Sequence, residues 1–106
     1  LHGHLDVVPA EASDWSVHPF SGGRWRTATC GGPRGAVDMK DMCGMLIAIA
    51  RHFKRSGITP PRDLVFAFLS DEEAGGKFGS HWLVKHRPDL FAGVTEAVGG
   101  RSAGSR

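Results

Sequence analysis

An unbroken apolar run, residues 64–69, leads through one serine into three consecutive acids, Asp71, Glu72 and Glu73. An apolar run this short is typical of a strand buried on both faces of a parallel sheet. Open α/β sheets bind ligands beyond the carboxyl ends of their strands, so we expect the three carboxylates to project into a ligand crevice. Adjacent carboxylates repel one another, which favours a metal ion among them. The alternative is a solvated turn or a helix start, where acids complement the helix dipole.

A single apolar stripe predicts the clearest helix of the chain over residues 41–57. Asp41 is the predicted N-cap and Gly57 the residue that ends the helix. We expect the stripe to pack against the strand of residues 64–69 and form an α/β layer pair. A second helix is predicted over residues 77–86. The apolar positions of the first helix recur at three- and four-residue spacing: Met42, Met45, Leu46, Ile49, Ala50 and Phe53.

Two further candidate ligands, His4 and Asp38, lie before the long helix. Strand-like alternation puts His2, His4 and Asp6 on one face. A zinc-binding histidine usually gives its other N–H to a carboxylate, and Asp6 could accept it. Asp38 stands in an apolar setting just before the helix, where the alternative interpretation is a helix N-terminal charge.

The candidate ligand set is therefore His4, Asp38 and Glu73. One nitrogen and two oxygen ligands without a thiolate indicate zinc or a similar divalent ion in a catalytic rather than a structural site. Glu72 stands beside a ligand and could accept a proton from water whose pKa the metal lowers to about 7.

Three motifs, HLDVVP at residues 4–9, GAVDMKD at 35–41 and DEEAGG at 71–76, together resemble one family. It is the two-zinc metallopeptidase family of acetylornithine deacetylase, succinyl-diaminopimelate desuccinylase, aminoacylase and glutamate carboxypeptidase. The resemblance implies a three-layer, aminopeptidase-type α/β sandwich with a mainly parallel central sheet, here truncated at both ends.

The resemblance also implies a role for each matching residue. His4 would bind one zinc and Asp6 would orient it, Asp38 would bridge two zincs, Glu73 would bind the other, and Glu72 would be the general base. Cobalt or manganese could replace zinc. The substrate would be a small N-acyl amino acid or peptide, cleaved at an amide bond next to a free carboxylate. The full-length family suggests a homodimer.

The chain departs from the family after residue 96. The family's next motif, an acid often followed by Gly-Gly, is absent, because Ala97 and Val98 precede Gly99 and Gly100. A final histidine ligand is also absent. We therefore expect an incomplete fragment, with a partial catalytic domain at residues 1–98 and a disordered tail at 99–106. One hypothesis is that residues 23–33 and 100–106 arise from frameshifts, since a two-base shift of suitable codons restores family-like sequence in both.

Two functions stay open at this point: the metal-binding core of an amidohydrolase, or an inactive remnant that binds a metal weakly. If the frameshift hypothesis holds, the apolar face of the long helix should be partly uncovered. Trp15 and Trp82 are interpreted as packing residues rather than substrate contacts. The other five histidines are interpreted as surface or packing residues: His2, His18, His52, His81 and His86.

Composition excludes some other classes. A net charge of +2 does not indicate a nucleic-acid partner, and no recognisable binding motif accompanies the arginines. No apolar run is long enough to span a membrane. Cys30 and Cys43 form neither a zinc motif nor a disulfide framework, which favours a reducing cytoplasm.

Overall fold

The computed structural model describes residues 1–21 and 34–100, which form a mixed α/β structure. Strand β1 (His2–His4) pairs in parallel with strand β2 (Ala67–Leu69), and His4 lies opposite Leu69. Parallel strands need a crossover, and helix α1 (Asp41–Ser56) lies within it. Helix α2 (Ser80–His86) and a 3₁₀ turn (Pro88–Phe91) follow β2. The carboxyl ends of β1 and β2 therefore meet at one edge of the sheet.

Helix α1 confirms the helix predicted from the apolar stripe. Gly57 follows its last residue with a left-handed φ of 67°, as expected for the residue that ends a helix. Asp41 is not the N-cap, however. It is the first helical residue, and its own Oδ1 accepts the Met42 N–H at 2.6 Å. A carboxylate in the first turn still complements the helix dipole.

The packing of α1 on β1 depends on a small residue in the strand. Cys43 and Leu46 are the buried residues of α1. A Cβ added at Gly3 would come within 3.1 Å of the Cys43 sulfur, so a side chain there would require a shift of a few tenths of an ångström between strand and helix. The first residues of the chain are thereby fixed against the helix.

The prediction of a strand buried on both faces over residues 64–69 is wrong in two respects. Only Ala67–Leu69 is strand, because its partner β1 extends only from His2 to His4. Phe68 is also 36% exposed. Within the described parts of the chain, α1 is the helix that packs on the sheet, so the three-layer arrangement is not seen there.

Part of the apolar stripe of α1 is uncovered. Met45 is 52% exposed and Ile49 is 43% exposed, whereas Leu46 is 2% exposed. Helix α2 begins at Ser80, later than predicted, since the preceding Gly79 has non-helical dihedral angles. No helix in residues 1–21 and 34–100 has the length and apolarity needed to cross a bilayer.

The two stretches assigned to frameshifts lie almost wholly outside the described residues, which omit 22–33 and 101–106. Gly99, the first residue of the predicted tail, forms a parallel bridge with His2. The His2 N–H also donates to the Val98 carbonyl at 2.9 Å. Residues 98 and 99 therefore lie along the open edge of β1.

Candidate metal centre

The structure brings the three predicted ligands together at the carboxyl edge of the sheet. His4 is the last residue of β1, Glu73 lies in the turn after β2, and Asp38 lies just before α1. One ligand atom from each residue lies within 4.8 Å of the other two. The topology explains this convergence, because parallel strands end at the same edge and the helix begins there.

His4 is held by contacts on both ring nitrogens. Its Nδ1 lies 2.9 Å from the Asp6 carbonyl oxygen, and its Nε2 lies 3.0 Å from Asp38 Oδ1. An Nδ1–H donated to the carbonyl leaves Nε2 as the nitrogen that faces the carboxylates. The Cys43 thiol donates to the His4 carbonyl at 3.2 Å and fixes the backbone behind the ring.

The pKa of His4 is raised above its ordinary value. Burial is the largest single effect and lowers this pKa, since it disfavours the charged ring. The hydrogen bond to the Asp6 carbonyl, the hydrogen bond to Asp38 and the negative charges of Glu72 and Asp38 together outweigh burial. These neighbours therefore favour a positive charge at the position of the His4 ring.

Asp6 contacts the site differently from the sequence-based expectation. Its carboxylate Oδ1 lies 3.6 Å from His4 Nδ1, which is too far for a hydrogen bond, so the backbone carbonyl holds the ring. The carboxylate Oδ2 instead accepts the Glu73 N–H at 3.0 Å. Asp6 therefore connects the end of β1 to the turn after β2 and positions two ligands at once.

The pKa of Asp6 is lowered. Burial is again the largest single effect and would raise this pKa, but backbone N–H donors, led by those of Glu73 and Glu72, together with the charge of His4, outweigh it. Asp6 Oδ1 is buried and has no hydrogen-bond partner among the described residues. A charged Asp6 thus stabilises the turn that carries Glu73.

Glu72 lies beside the ligands and stays accessible. Its Oε2 is 3.6 Å from His4 Nε2, and its side chain is 59% exposed. Asp71, by contrast, does not project into the crevice as predicted. It has a left-handed φ of 65°, and its Oδ2 accepts the Phe78 N–H at 2.7 Å. Of the acidic triplet, Asp71 shapes the turn, while Glu72 and Glu73 face the site.

The donor set fits a divalent cation. One imidazole nitrogen and two carboxylate oxygens, each within 4.8 Å of the other two, match the ligand preferences of zinc and similar ions, and no thiolate is among them. A cation would also relieve the repulsion between the carboxylates. The remaining histidines are exposed and lie outside this group: His2, His18, His52, His81 and His86.

Sequence reasoning missed two basic residues that hold the loop after β1. Lys40 Nζ donates to the Leu5 carbonyl at 2.8 Å, and Arg34 Nε donates to the Val8 carbonyl at 2.7 Å. Their positions beside or within the GAVDMKD motif were the available signal. Trp15, interpreted from sequence as a packing residue, lines a cavity together with Asp38 and Glu73.

Comparison with known proteins identifies the family of this chain. The family model for peptidase family M20/M25/M40 matches residues 1–104. The chain belongs to this peptidase family. The resemblance stated from the three motifs is thereby confirmed, and the family supports an assignment as hydrolase and metallopeptidase.

The chain resembles several curated relatives over part of their length. It is 41% identical to aminoacylase-1 of Dictyostelium discoideum over 76 residues, which are 72% of this chain and 18% of that protein. It is 38% identical to aminoacylase-1 of Sus scrofa over 92 residues, 87% of this chain and 22% of that protein. It is 38% identical to succinyl-diaminopimelate desuccinylase of Paracoccus denitrificans over 87 residues, 79% of this chain and 22% of that protein.

The chain thus spans about a fifth of the length of the curated relatives it matches. No solved structure matches it with significance.

Proposed function

We propose that this chain is the metal-binding part of a zinc-dependent hydrolase that cleaves the amide bond of an N-acyl amino acid or small peptide. The observation that carries the proposal is the convergence of His4, Asp38 and Glu73 within 4.8 Å. The names of the relatives, aminoacylase-1 and succinyl-diaminopimelate desuccinylase, support the substrate class. Cobalt and manganese also fit the donor set.

A bound divalent ion would supply Lewis-acid polarisation of the substrate carbonyl and a lowered pKa for water. The protein residues would act around it. His4 offers Nε2 and Glu73 offers a carboxylate oxygen. Asp38 has two carboxylate oxygens and could contact two ions. Asp6 holds both the His4 ring and the Glu73 backbone in place.

Glu72 is the proposed general base. Its carboxylate lies beside the ligand group and is open to solvent, so it could take a proton from water and return it to the leaving amine. Among the described residues, the Glu72 carboxylate forms its ion pair with His4 at 3.6 Å, which leaves the side chain accessible to water.

The same proposal extends to the whole enzyme. In the whole enzyme we expect these residues to lie in a three-layer sandwich with a mainly parallel sheet. We expect that enzyme to be a cytoplasmic homodimer. The exposed apolar positions of α1, Met45 and Ile49, are consistent with further layers covering this helix.

Zinc titration by calorimetry tests the proposed site on the 106-residue chain. We expect His4→Ala and Asp38→Asn to weaken zinc binding by more than about 100-fold. Substitution of a residue that only supports a metal ligand costs about 10–100-fold in affinity, and each of these two changes removes a ligand itself. His52→Ala and Asp63→Asn are matched controls at exposed positions and should bind zinc as the unaltered chain does. Equal zinc affinity in all five proteins would refute the proposal.

A further inference from the structure

A cavity of about 570 Å³ lies at the amino end of β1, at the opposite end of the sheet from the candidate metal ligands. Two stretches of backbone form its walls, one within residues 62–65 and the other within residues 92–98, and Leu1 lies between them. The residues that line it include none of His4, Asp38 and Glu73. An occupant of this cavity would therefore not contact the metal group.

The hydrogen bonds of Leu1 and His2 fix the spacing of the two walls. The Leu1 α-amino group donates to the Val65 carbonyl, and the Leu1 carbonyl accepts the Ala67 N–H, each at 3.0 Å. On the other side, the His2 N–H donates to the Val98 carbonyl at 2.9 Å. The chain thus lies here as a middle strand with a parallel neighbour on each side. The walls are two strand spacings apart, about 9.5 Å, which leaves the width of one strand beyond Leu1.

The register of β1 defines the hydrogen bonds that an extended segment would form in this gap. Successive residues of a middle strand bond alternately to its two neighbours. If the register of β1 continues, the residue next to Leu1 would bond to the Glu96 carbonyl and the Val98 N–H. The residue before it would bond to the Asp63 carbonyl and the Val65 N–H. All four residues line the cavity, and within residues 1–21 and 34–100 these four backbone groups form no hydrogen bond.

The side chains around the gap favour an apolar occupant. Val65, Val94 and Val98 line the cavity and are all exposed. Apolar side chains of an inserted segment would remove these three valines from water, which is favourable in proportion to the area buried. Strand addition of this kind combines affinity from backbone hydrogen bonds with selectivity from side-chain contacts.

The charges around the gap favour a carboxylate at one end of the occupant. Arg62 Nη1 lies 2.9 Å from Glu96 Oε1, so these two charges are paired with each other. The Leu1 ammonium group has no carboxylate partner among the described residues. Asp63 also lines the cavity, but the register places it beside the second residue of the occupant rather than beside the end next to Leu1.

We infer that this cavity binds an extended, apolar peptide segment of about four residues, the length needed to lie along residues 62–65. The segment runs parallel to β2, and its free carboxylate lies next to the Leu1 ammonium group. The partner is therefore a peptide or protein with an apolar, β-branched carboxyl terminus. This inference does not depend on the proposed function, because the cavity and the metal group lie at opposite ends of β1.

The test is an NMR titration of the ¹⁵N-labelled 106-residue chain with three peptides. The first is acetyl-Thr-Val-Thr-Val with a free carboxylate, the second carries N-methyl groups on its last two residues, and the third ends in an amide. The first should shift the backbone amide signals of Val65 and Val98 saturably. The N-methylated peptide cannot donate to the Asp63 and Glu96 carbonyls and should bind about 10–100-fold more weakly. The amide should bind about two- to fivefold more weakly, because it lacks an exposed ion pair.

A pair of matched substitutions assigns binding to the cavity. Val94→Asp places a carboxylate where the peptide would cover it and should weaken binding of the first peptide by more than about 10-fold. Val84→Asp makes the same change at another exposed valine, on α2 and outside the cavity, and should bind that peptide as the unaltered chain does. Added zinc should leave peptide affinity unchanged.

Three outcomes would overturn the inference without any variant that could misfold. They are the absence of saturable shifts at Val65 and Val98, equal affinity for the N-methylated peptide, and equal affinity for the acid and the amide. Equal binding of the N-methylated peptide would show an apolar cavity that does not use strand pairing. Failure of zinc to bind would refute the proposed function alone, since the peptide titration needs no metal.

Discussion

Asp6 offers the sharpest test of how this site is built, because the structure and the sequence assign it different contacts. From sequence, the carboxylate should hold the His4 ring. In the structure the backbone carbonyl of Asp6 holds the ring at 2.9 Å, and the carboxylate holds the Glu73 N–H at 3.0 Å. Replacement of the side chain should therefore act on zinc affinity through Glu73, while His4 keeps its hydrogen bond.

The expected magnitudes follow from these contacts. Asp6→Ala removes a hydrogen bond to a charged acceptor, worth about 1.5–3 kcal/mol, so zinc affinity should fall about 10–100-fold. Asp6→Asn keeps an oxygen for the Glu73 N–H and loses mainly the charge, about 1 kcal/mol, so affinity should fall about fivefold. Zinc calorimetry at constant pH measures both effects.

Two controls make the comparison specific. Asp14→Ala removes an exposed carboxylate in the loop after β1 and should leave zinc affinity unchanged. Far-UV circular dichroism should show the same helix content in every variant. If Asp6→Asn proves as damaging as Asp6→Ala, the negative charge beside His4 is what matters, and the argument from the Glu73 contact is refuted.

Three further predictions concern pH, packing and turnover. Zinc affinity should fall as the pH drops through the raised pKa of His4, above the usual value of about 6.5, because protons compete for the ring. Without metal, the raised pKa of His4 stabilises the fold fully at pH values below the unfolded-state pKa, and this stabilisation is lost as the pH rises through the folded-state pKa. The free energy of unfolding, measured with urea at about pH 5–8, should therefore fall with rising pH without zinc and rise with it in the presence of zinc. Parallel pH trends would contradict this prediction. Leu46→Ala should lower the free energy of unfolding by about 2–5 kcal/mol because Leu46 is buried, whereas Ile49→Ala should lower it by about 1 kcal/mol because Ile49 is half-exposed. Equal losses would show that α1 packs differently. In an amine-release assay, the isolated chain with zinc should hydrolyse N-acetyl-L-leucine no faster than its Glu72→Ala variant. Catalytic zinc typically has three protein ligands, and three ligand residues shared between two ions give each ion fewer than that. Faster release by the unaltered chain would disprove this prediction.

Helix α1 shows what local sequence can predict. Its apolar stripe and Gly57 predicted its extent because both signals lie within the segment itself. Strand β2 shows the opposite case. Its apolar run predicted six residues, but a strand exists only where a neighbour supplies hydrogen bonds, and β1 supplies them for three residues. Strand length is therefore not a property of the strand sequence alone.

The candidate ligands were recognisable from sequence because the metal-binding groups of a side chain are known from the residue type alone. An imidazole and several carboxylates near the predicted strand and helix ends already indicated a divalent cation at His4, Asp38 and Glu73. The motif order then indicated the peptidase family, which the family match confirmed. Neither step needed coordinates, since residue type and spacing were sufficient.

Contacts between distant segments were decided by tertiary structure. No sequence pattern states that the Asp6 carbonyl rather than its carboxylate meets His4, that Asp71 turns away to Phe78, or that Arg34 lines a cavity with Asp38. These facts depend on backbone direction in turns and on the close approach of α1 to β1. Such distances are fixed only when the whole chain packs, which is why residue chemistry could be read from the sequence and its geometry could not.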